Sequence, residues 1–108
     1  MIRYANENDI EIISKYDKHI SKEELANIIK LKRVIVMYED DKFVGWLRYN
    51  LFWDNTPFMN MLYLLDNERG KGNGSRLVIF WENEMKKTTN LFLLQLNQTK
   101  KHNFFIEK

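Results

Sequence analysis

The chain has no cysteine, one proline and four glycines in 108 residues. Each scarcity excludes something. Without cysteine there are no disulfides, no thiolate nucleophile and no cysteine metal site, and His19 and His102 stand too far apart to suggest a ligand set, so no metal is expected. Charge of one sign is scarce as well: 17 Lys+Arg against 15 Asp+Glu leave a net charge of +2. A dedicated nucleic-acid binder would carry a strong basic excess, so any anion site must be local. No run of about 18 apolar residues occurs, and the N-terminus lacks the apolar stretch of a signal peptide. The expectation is a soluble, cytoplasmic protein with neither a membrane nor a nucleic acid as partner.

Apolar residues make up 44% of the chain and aromatic residues 14%, enough for one real core. At this length the chain reads as a single domain, 1–108. Residues 2–4 form a short strand candidate, and Ile10, Ile12, Ile13 and Tyr16 approximate a helical face over 6–16. Ser21 followed by Glu24 has the form of a capping box, ahead of Leu25, Ile28, Ile29 and Leu31 at helical spacing. The β-branched run 34–38, the polar turn 40–42 and the strand 43–51 read as an antiparallel hairpin. Residues 52–57 read as a loop in which Pro57 ends the strand. A strand at 58–65 then leads into a glycine turn, a helix at 73–87 with Leu77, Val78, Phe80, Trp81 and Met85 on one face, a strand at 91–96 and a weakly helical 100–108.

Three of the four glycines, Gly70, Gly72 and Gly74, fall in the turn Arg69-Gly70-Lys71-Gly72-Asn73-Gly74. Glycine removes the Cβ atoms that hold an anion off the backbone and permits left-handed angles that turn N–H groups inward. The helix starting near Asn73 adds unpaired N–H groups and the positive end of its dipole, and Arg69 and Lys71 add full charges. A pyrophosphate fits such a turn. The Walker pattern fails because no lysine stands between Gly74 and Ser75. A dinucleotide fingerprint fails because position 75 is Ser and an antiparallel hairpin precedes the turn. The cations Arg69, Lys71, Arg76, Lys86 and Lys87 are interleaved with Asp66, Glu68, Glu82 and Glu84, the pattern of a solvated helix face rather than an RNA-binding surface.

Arg69-x-x-Gly72-x-Gly74, between a strand and a helix, resembles the acyl-CoA-binding signature of the GNAT superfamily of N-acetyltransferases. The element order is similar to that family over nearly the whole chain. The resemblance implies an α+β fold (α/β in some schemes): a mixed, mostly antiparallel central sheet flanked by helices. It also implies acetyl-CoA as cosubstrate, with Leu64 as the strand contact and Arg69, Gly70, Lys71, Gly72, Asn73, Gly74 and Ser75 as the cradle. The acceptor would be a small-molecule or peptide amine, with Trp46, Arg48, Trp53, Asp54, Phe58 and Asn60 as candidates for its side of the cleft. Core packing is an equal alternative for the aromatics, and a solvated surface role is favoured for Arg48 and Asp54. No residue stands out as catalytic base: Asn60 and Tyr63 lie on the strand and Asp66 at its end, and a water relay is an equal alternative.

The resemblance weakens after Leu93. Family members continue with a pattern like Ser-x-Asn-x-x-Ala-x-x-Phe-Tyr-x-Lys and further strands, and here Thr99 and Ile106 stand where the asparagine and tyrosine are expected. Residues 94–103 can be coded CTT CAA CTC AAT CAA ACG AAG AAG CAC AAC. Preceded by an A and read one base back, this string gives Thr-Ser-Thr-Gln-Ser-Asn-Glu-Glu-Ala-Gln, and 104–108 then end in Phe-Tyr-Arg-Lys. The tail from about Thr88 is therefore expected to be a truncated or frameshifted remnant that lacks the terminal strands. An open sheet edge at 91–96 would favour a homodimer. Two functions stay open: an N-acetyltransferase whose activity the altered tail impairs, and a non-catalytic CoA-binding or interaction module retaining the fold.

Overall fold

The computed structural model describes residues 1–53 and 56–87. Strand β1 (Ile2–Tyr4) leads through a short 3-10 turn (Glu7–Asp9) into α1 (Ile10–Tyr16), and α2 (Lys22–Lys30) follows after a loop. Then come β2 (Val34–Glu39), β3 (Lys42–Phe52), β4 (Thr56–Leu64), a second 3-10 turn (Asp66–Glu68) and α3 (Asn73–Lys86). The four strands form one sheet in the order β1-β2-β3-β4, and every neighbouring pair is antiparallel. This is the mixed α+β architecture expected from the element order.

Local chemistry explains most boundaries. The expected first helix divides in two: Asn6 caps a 3-10 turn through its side chain, Asp9 returns a bond to the Asn6 N–H, and the α-helix begins only at Ile10. Ser21 caps α2 by accepting from the Glu24 N–H at 3.1 Å, satisfying a donor the helix cannot. Asp40 and Asp41 take φ values of 52° and 66°, the pair of left-handed residues that a two-residue hairpin requires.

One boundary needs correction. Pro57 does not end the strand in a loop over 52–57, because β3 runs to Phe52 and β4 begins at Thr56, with Phe52 opposite Thr56 and Leu51 opposite Pro57. Proline lacks a ladder donor, and it is tolerated here because β4 is the outer strand among the described residues. The sequence expectations at 91–96 and 100–108, and the frameshift reading of the tail, lie outside the described residues.

The sheet buries both faces. On one, α1 and α2 cover Val34, Val36, Phe43 and Trp46, together with Ile13, Leu25, Ile28 and Ile29 from the helices themselves. On the other, Leu77, Trp81 and Met85 of α3 pack on Ile35, Met37, Val44, Leu47 and Tyr49. Burying each large apolar side chain contributes about 1.5–3 kcal/mol, and the two layers fix where the ends of β3 and β4 emerge. Ion pairs tie the periphery to this core. Buried Asp9 receives Arg3 Nη1 at 2.8 Å, Arg3 Nη2 at 3.1 Å and the Tyr38 hydroxyl at 2.8 Å. Burial alone would raise the Asp9 pKa, but these donors and the Asn6 N–H hold the carboxyl below its ordinary value.

Candidate cofactor turn and acceptor cleft

The glycine turn is held at the end of β4 and opens α3. Gly70 and Gly72 have φ of 78° and 82°, and a Cβ built at either would point into open space, so steric crowding is not what selects glycine there. The left-handed backbone is. Gly72 is the N-cap of α3, and no side chain caps that helix, so its leading N–H groups carry the positive dipole end uncovered by a side-chain acceptor. A Cβ at Gly74 would lie 3.7 Å from Leu64 and 3.8 Å from Leu62, which places the first helical turn directly against β4.

The two cations of the turn are held loosely. Arg69 Nε donates to the Leu64 carbonyl at 3.0 Å, the guanidinium lies 5.1 Å from the Tyr63 ring centroid, and Asp66 is 3.4 Å away. Lys71 meets Glu68 at 3.5 Å. Such exposed pairs contribute about 0–1 kcal/mol, so a multiply charged anion competes for both cations readily. Asn73 is buried and bridges the turn, donating to the Glu68 carbonyl and accepting from Arg76. Ser75 is exposed in the first turn of α3. The structure thus brings Leu64 and residues 69–75 together at one end of β4. A free helix start, a left-handed glycine backbone and two cations fit a pyrophosphate.

The acceptor-side candidates do not share one place. Asn60 is the extra residue of a β-bulge: Arg48 pairs with Met61 and Tyr49 with Met59, leaving Asn60 without an opposite number. The bulge reverses the alternation of β4. Met61 and Tyr63 pack against the α1–α2 layer, whereas Met59 packs on the α3 side. Beside the bulge lies a cleft of about 270 Å³, lined among others by His19, Glu24, Ile28, Arg48, Asn50 and Asn60. Of the residues singled out in the sequence, the cleft contains Arg48 and Asn60.

Trp46 is fully buried in the core, stacked between Phe43 and Tyr63 at centroid distances of 6.0 and 4.9 Å. Trp53, 84% exposed, and Phe58 belong to a separate aromatic cluster around Phe52 at the end of the β3–β4 hairpin, and neither lines the cleft. Asp54 lies outside the described residues. Arg48 is not solvated: Asp17, whose side chain is wholly buried, accepts from its Nε at 2.8 Å and its Nη2 at 3.4 Å.

Sequence reading missed His19 and Glu24. Asp17 Oδ1 also accepts from the His19 backbone N–H at 3.2 Å, a local turn that Asp-x-His spacing can suggest. What places that turn over β3 is Arg48, 31 residues away along the chain, and no local signal announces such a partner.

An antiparallel sheet between two helical layers, with an outer strand bulged and then turned through glycines into a helix, defines an acyltransferase-type α+β fold. The description "Acetyltransferase (GNAT) family" matches residues 4–108, and the chain belongs to the GNAT acetyltransferase family. Solved structures agree in fold. N-acetylglutamate synthase from Neisseria gonorrhoeae, complexed with coenzyme A and N-acetyl-glutamate, is similar at 21% identity and a TM-score of 0.73 over 81% of this chain, which spans 22% of the synthase chain. The PaiA N-acetyltransferase of Thermoplasma acidophilum, in complex with coenzyme A, is similar at 21% identity and a TM-score of 0.70 over 81% of this chain and 72% of its own. Ard1 from Thermoplasma volcanium aligns over 100% of this chain and 84% of its own, at 15% identity and a TM-score of 0.70. No curated protein sequence matches. Among the described residues, no helix is long and apolar enough to cross a membrane, and no group of His, Asp and Glu is arranged to hold a metal ion.

Proposed function

We propose that this chain binds acetyl-CoA through the turn 69–75 and transfers its acetyl group to an amine. The observation that supports this most is the start of α3: a left-handed glycine cap, no side-chain acceptor on the helix N–H groups, and Arg69 and Lys71 alongside. In this reading the Gly70–Ser75 backbone and Lys71 hold the pyrophosphate, and Arg69 braces the turn on the Leu64 carbonyl. Leu64 marks where the pantetheine runs along β4. The cosubstrate supplies an activated acetyl thioester. The protein's own contribution is to hold amine and thioester side by side, which converts a bimolecular encounter into a local one. The β4 bulge at Asn60 sets the acceptor cleft against the strand that carries the cofactor.

Binding is tested first by thermal unfolding. A ligand at a hundredfold excess over its Kd stabilises by about 2.7 kcal/mol, a shift of several degrees for a domain this small. The shift should vanish in a Gly72→Asp, Gly74→Asp double variant and shrink in Lys71→Glu, an exposed position where folding is not at issue. No shift with millimolar acetyl-CoA removes the proposal. Binding without release of free CoA in the presence of amines would favour the second reading, a CoA-binding module that retains the fold without turnover.

A further inference from the structure

A row of rings crosses the α1–α2 layer and ends at the glycine turn. Tyr16 of α1 stacks on Phe43 at 6.2 Å, Phe43 on Trp46 at 6.0 Å, and Trp46 on Tyr63 at 4.9 Å between centroids. The last member is a cation: the Arg69 guanidinium lies 5.1 Å from the Tyr63 ring centroid. Trp46 and Tyr63 are direct partners across β3 and β4, and Gly45, next to Trp46, admits the Tyr63 carbonyl where a Cβ would collide with it. Ring and backbone of Tyr63 are both fixed from β3.

Arg69 has three contacts of unequal strength. Asp66, at 3.4 Å, is almost wholly in solvent, so that pair contributes little. The Leu64 carbonyl accepts from Nε at 3.0 Å, a charge-assisted bond that closes the chain back onto the end of β4. A long side chain keeps such a bond only if its rotamers are restricted, and an aromatic face restricts a planar guanidinium well. Gly70 and Gly72 follow at once, both with left-handed backbone. Glycines have the most backbone freedom to lose on closing around an anion, so a fixed Arg69 lowers the cost of binding.

We propose that Tyr63 is a positioning residue for the cofactor turn: its ring, backed by Trp46, holds the Arg69 guanidinium on the Leu64 carbonyl and so presets the turn for a pyrophosphate. The assignment rests on the acetyl-CoA reading for the ligand, but not for the contact itself. The role uses the ring face, so the hydroxyl is dispensable.

The test compares the wild-type chain with Tyr63→Phe, Tyr63→Leu, Arg69→Met and the Tyr63→Leu, Arg69→Met double variant, each first shown to be folded by circular dichroism. Without ligand, exchange of the Arg69 Nε–H with water is followed by ¹H–¹⁵N NMR, the signal being identified by its loss in Arg69→Met. Exchange should be slow in the wild type and in Tyr63→Phe, and fast in Tyr63→Leu. Acetyl-CoA is then titrated calorimetrically. Tyr63→Leu should bind about two- to fivefold more weakly, the range of an exposed cation–π contact, and Tyr63→Phe as tightly as the wild type. In the Arg69→Met background, Tyr63→Leu should cost nothing further, because a residue that acts through Arg69 has nothing left to hold. Arg69→Lys, at an exposed position where folding is not at issue, keeps the charge without the planar group and should lose the same factor. Wild-type affinity in Tyr63→Leu or in Arg69→Lys, or a loss in Tyr63→Phe equal to that in Tyr63→Leu, would each overturn the proposal. So would the same loss with and without Arg69, which would show that Tyr63 serves only to pack on Trp46. No binding of acetyl-CoA by the wild type, with slow exchange at Arg69 retained, would bring down the cofactor reading and the role of Tyr63 with it.

Discussion

Gly45 carries more constraint than any glycine of the turn. A Cβ there would collide with the Tyr63 carbonyl oxygen on β4 and stand 2.8 Å from the Leu64 side chain. A backbone oxygen cannot swing aside as a flexible side chain can. Gly45→Ala should therefore cost about 1–3 kcal/mol, the range for overpacking, read from the midpoint of urea denaturation. Asp9 gives the pH dependence. Its carboxyl is held below its ordinary value in the folded chain, so its contribution is complete above the unfolded value near pH 4 and is lost as pH falls through the folded one. Melting temperature should thus be level above about pH 5 and decline below about pH 4. Asp9→Asn should lower stability at pH 7 by about 2 kcal/mol, less than for a fully buried pair because Arg3 is partly solvated, and should flatten the acid decline.

At the scale of elements, the bulge in β4 decides which side chains enter which layer. Deleting Asn60 would make Met59 and Met61 direct neighbours on the opposite faces they already occupy and would leave the pairs Arg48–Met61 and Tyr49–Met59 in register. The deletion should therefore keep cooperative unfolding by circular dichroism, and Asn60→Ala, at an exposed side chain, should stay within about 0.5 kcal/mol of the parent. Much of the element map is legible in the sequence because its signals are local. Ser21 and Glu24 mark a helix start, the paired aspartates a hairpin, and the glycines a turn before a helix. The cleft beside the bulge is not legible in that way. Trp46 and Trp53 look alike in sequence, yet one is sealed in the core and the other projects into solvent, because Trp46 lies within β3 beneath the helices and Trp53 falls in the turn just past the end of that strand, at a boundary that local pattern does not fix. Arg48 reads as a surface charge until Asp17, from a distant loop, is brought beneath it.

For the whole molecule, the sheet makes two cores share one set of strands. Leu25→Ala, beneath α2, and Leu77→Ala, in α3, remove buried side chains from opposite faces. Each should destabilise by about 2–5 kcal/mol. Because β2 and β3 serve both layers, the two variants should each shift a single unfolding transition rather than split it, as coincident fluorescence and circular dichroism curves would show.

The two-faced packing also makes the chain its own optical reporter. Its three tryptophans are distributed one to a compartment: Trp46 on β3 sealed under α1 and α2, Trp81 on α3 sealed against the opposite face of the sheet, and Trp53 in water at the hairpin end. Iodide should quench the emission of Trp53 and leave the blue-shifted emission of the other two. With Trp53 replaced by phenylalanine, the remaining signal divides between the layers. Trp81→Phe then isolates the layer under α1 and α2, and Trp46→Phe the layer of α3, so a perturbation on either side of the sheet can be followed by the indole on that side.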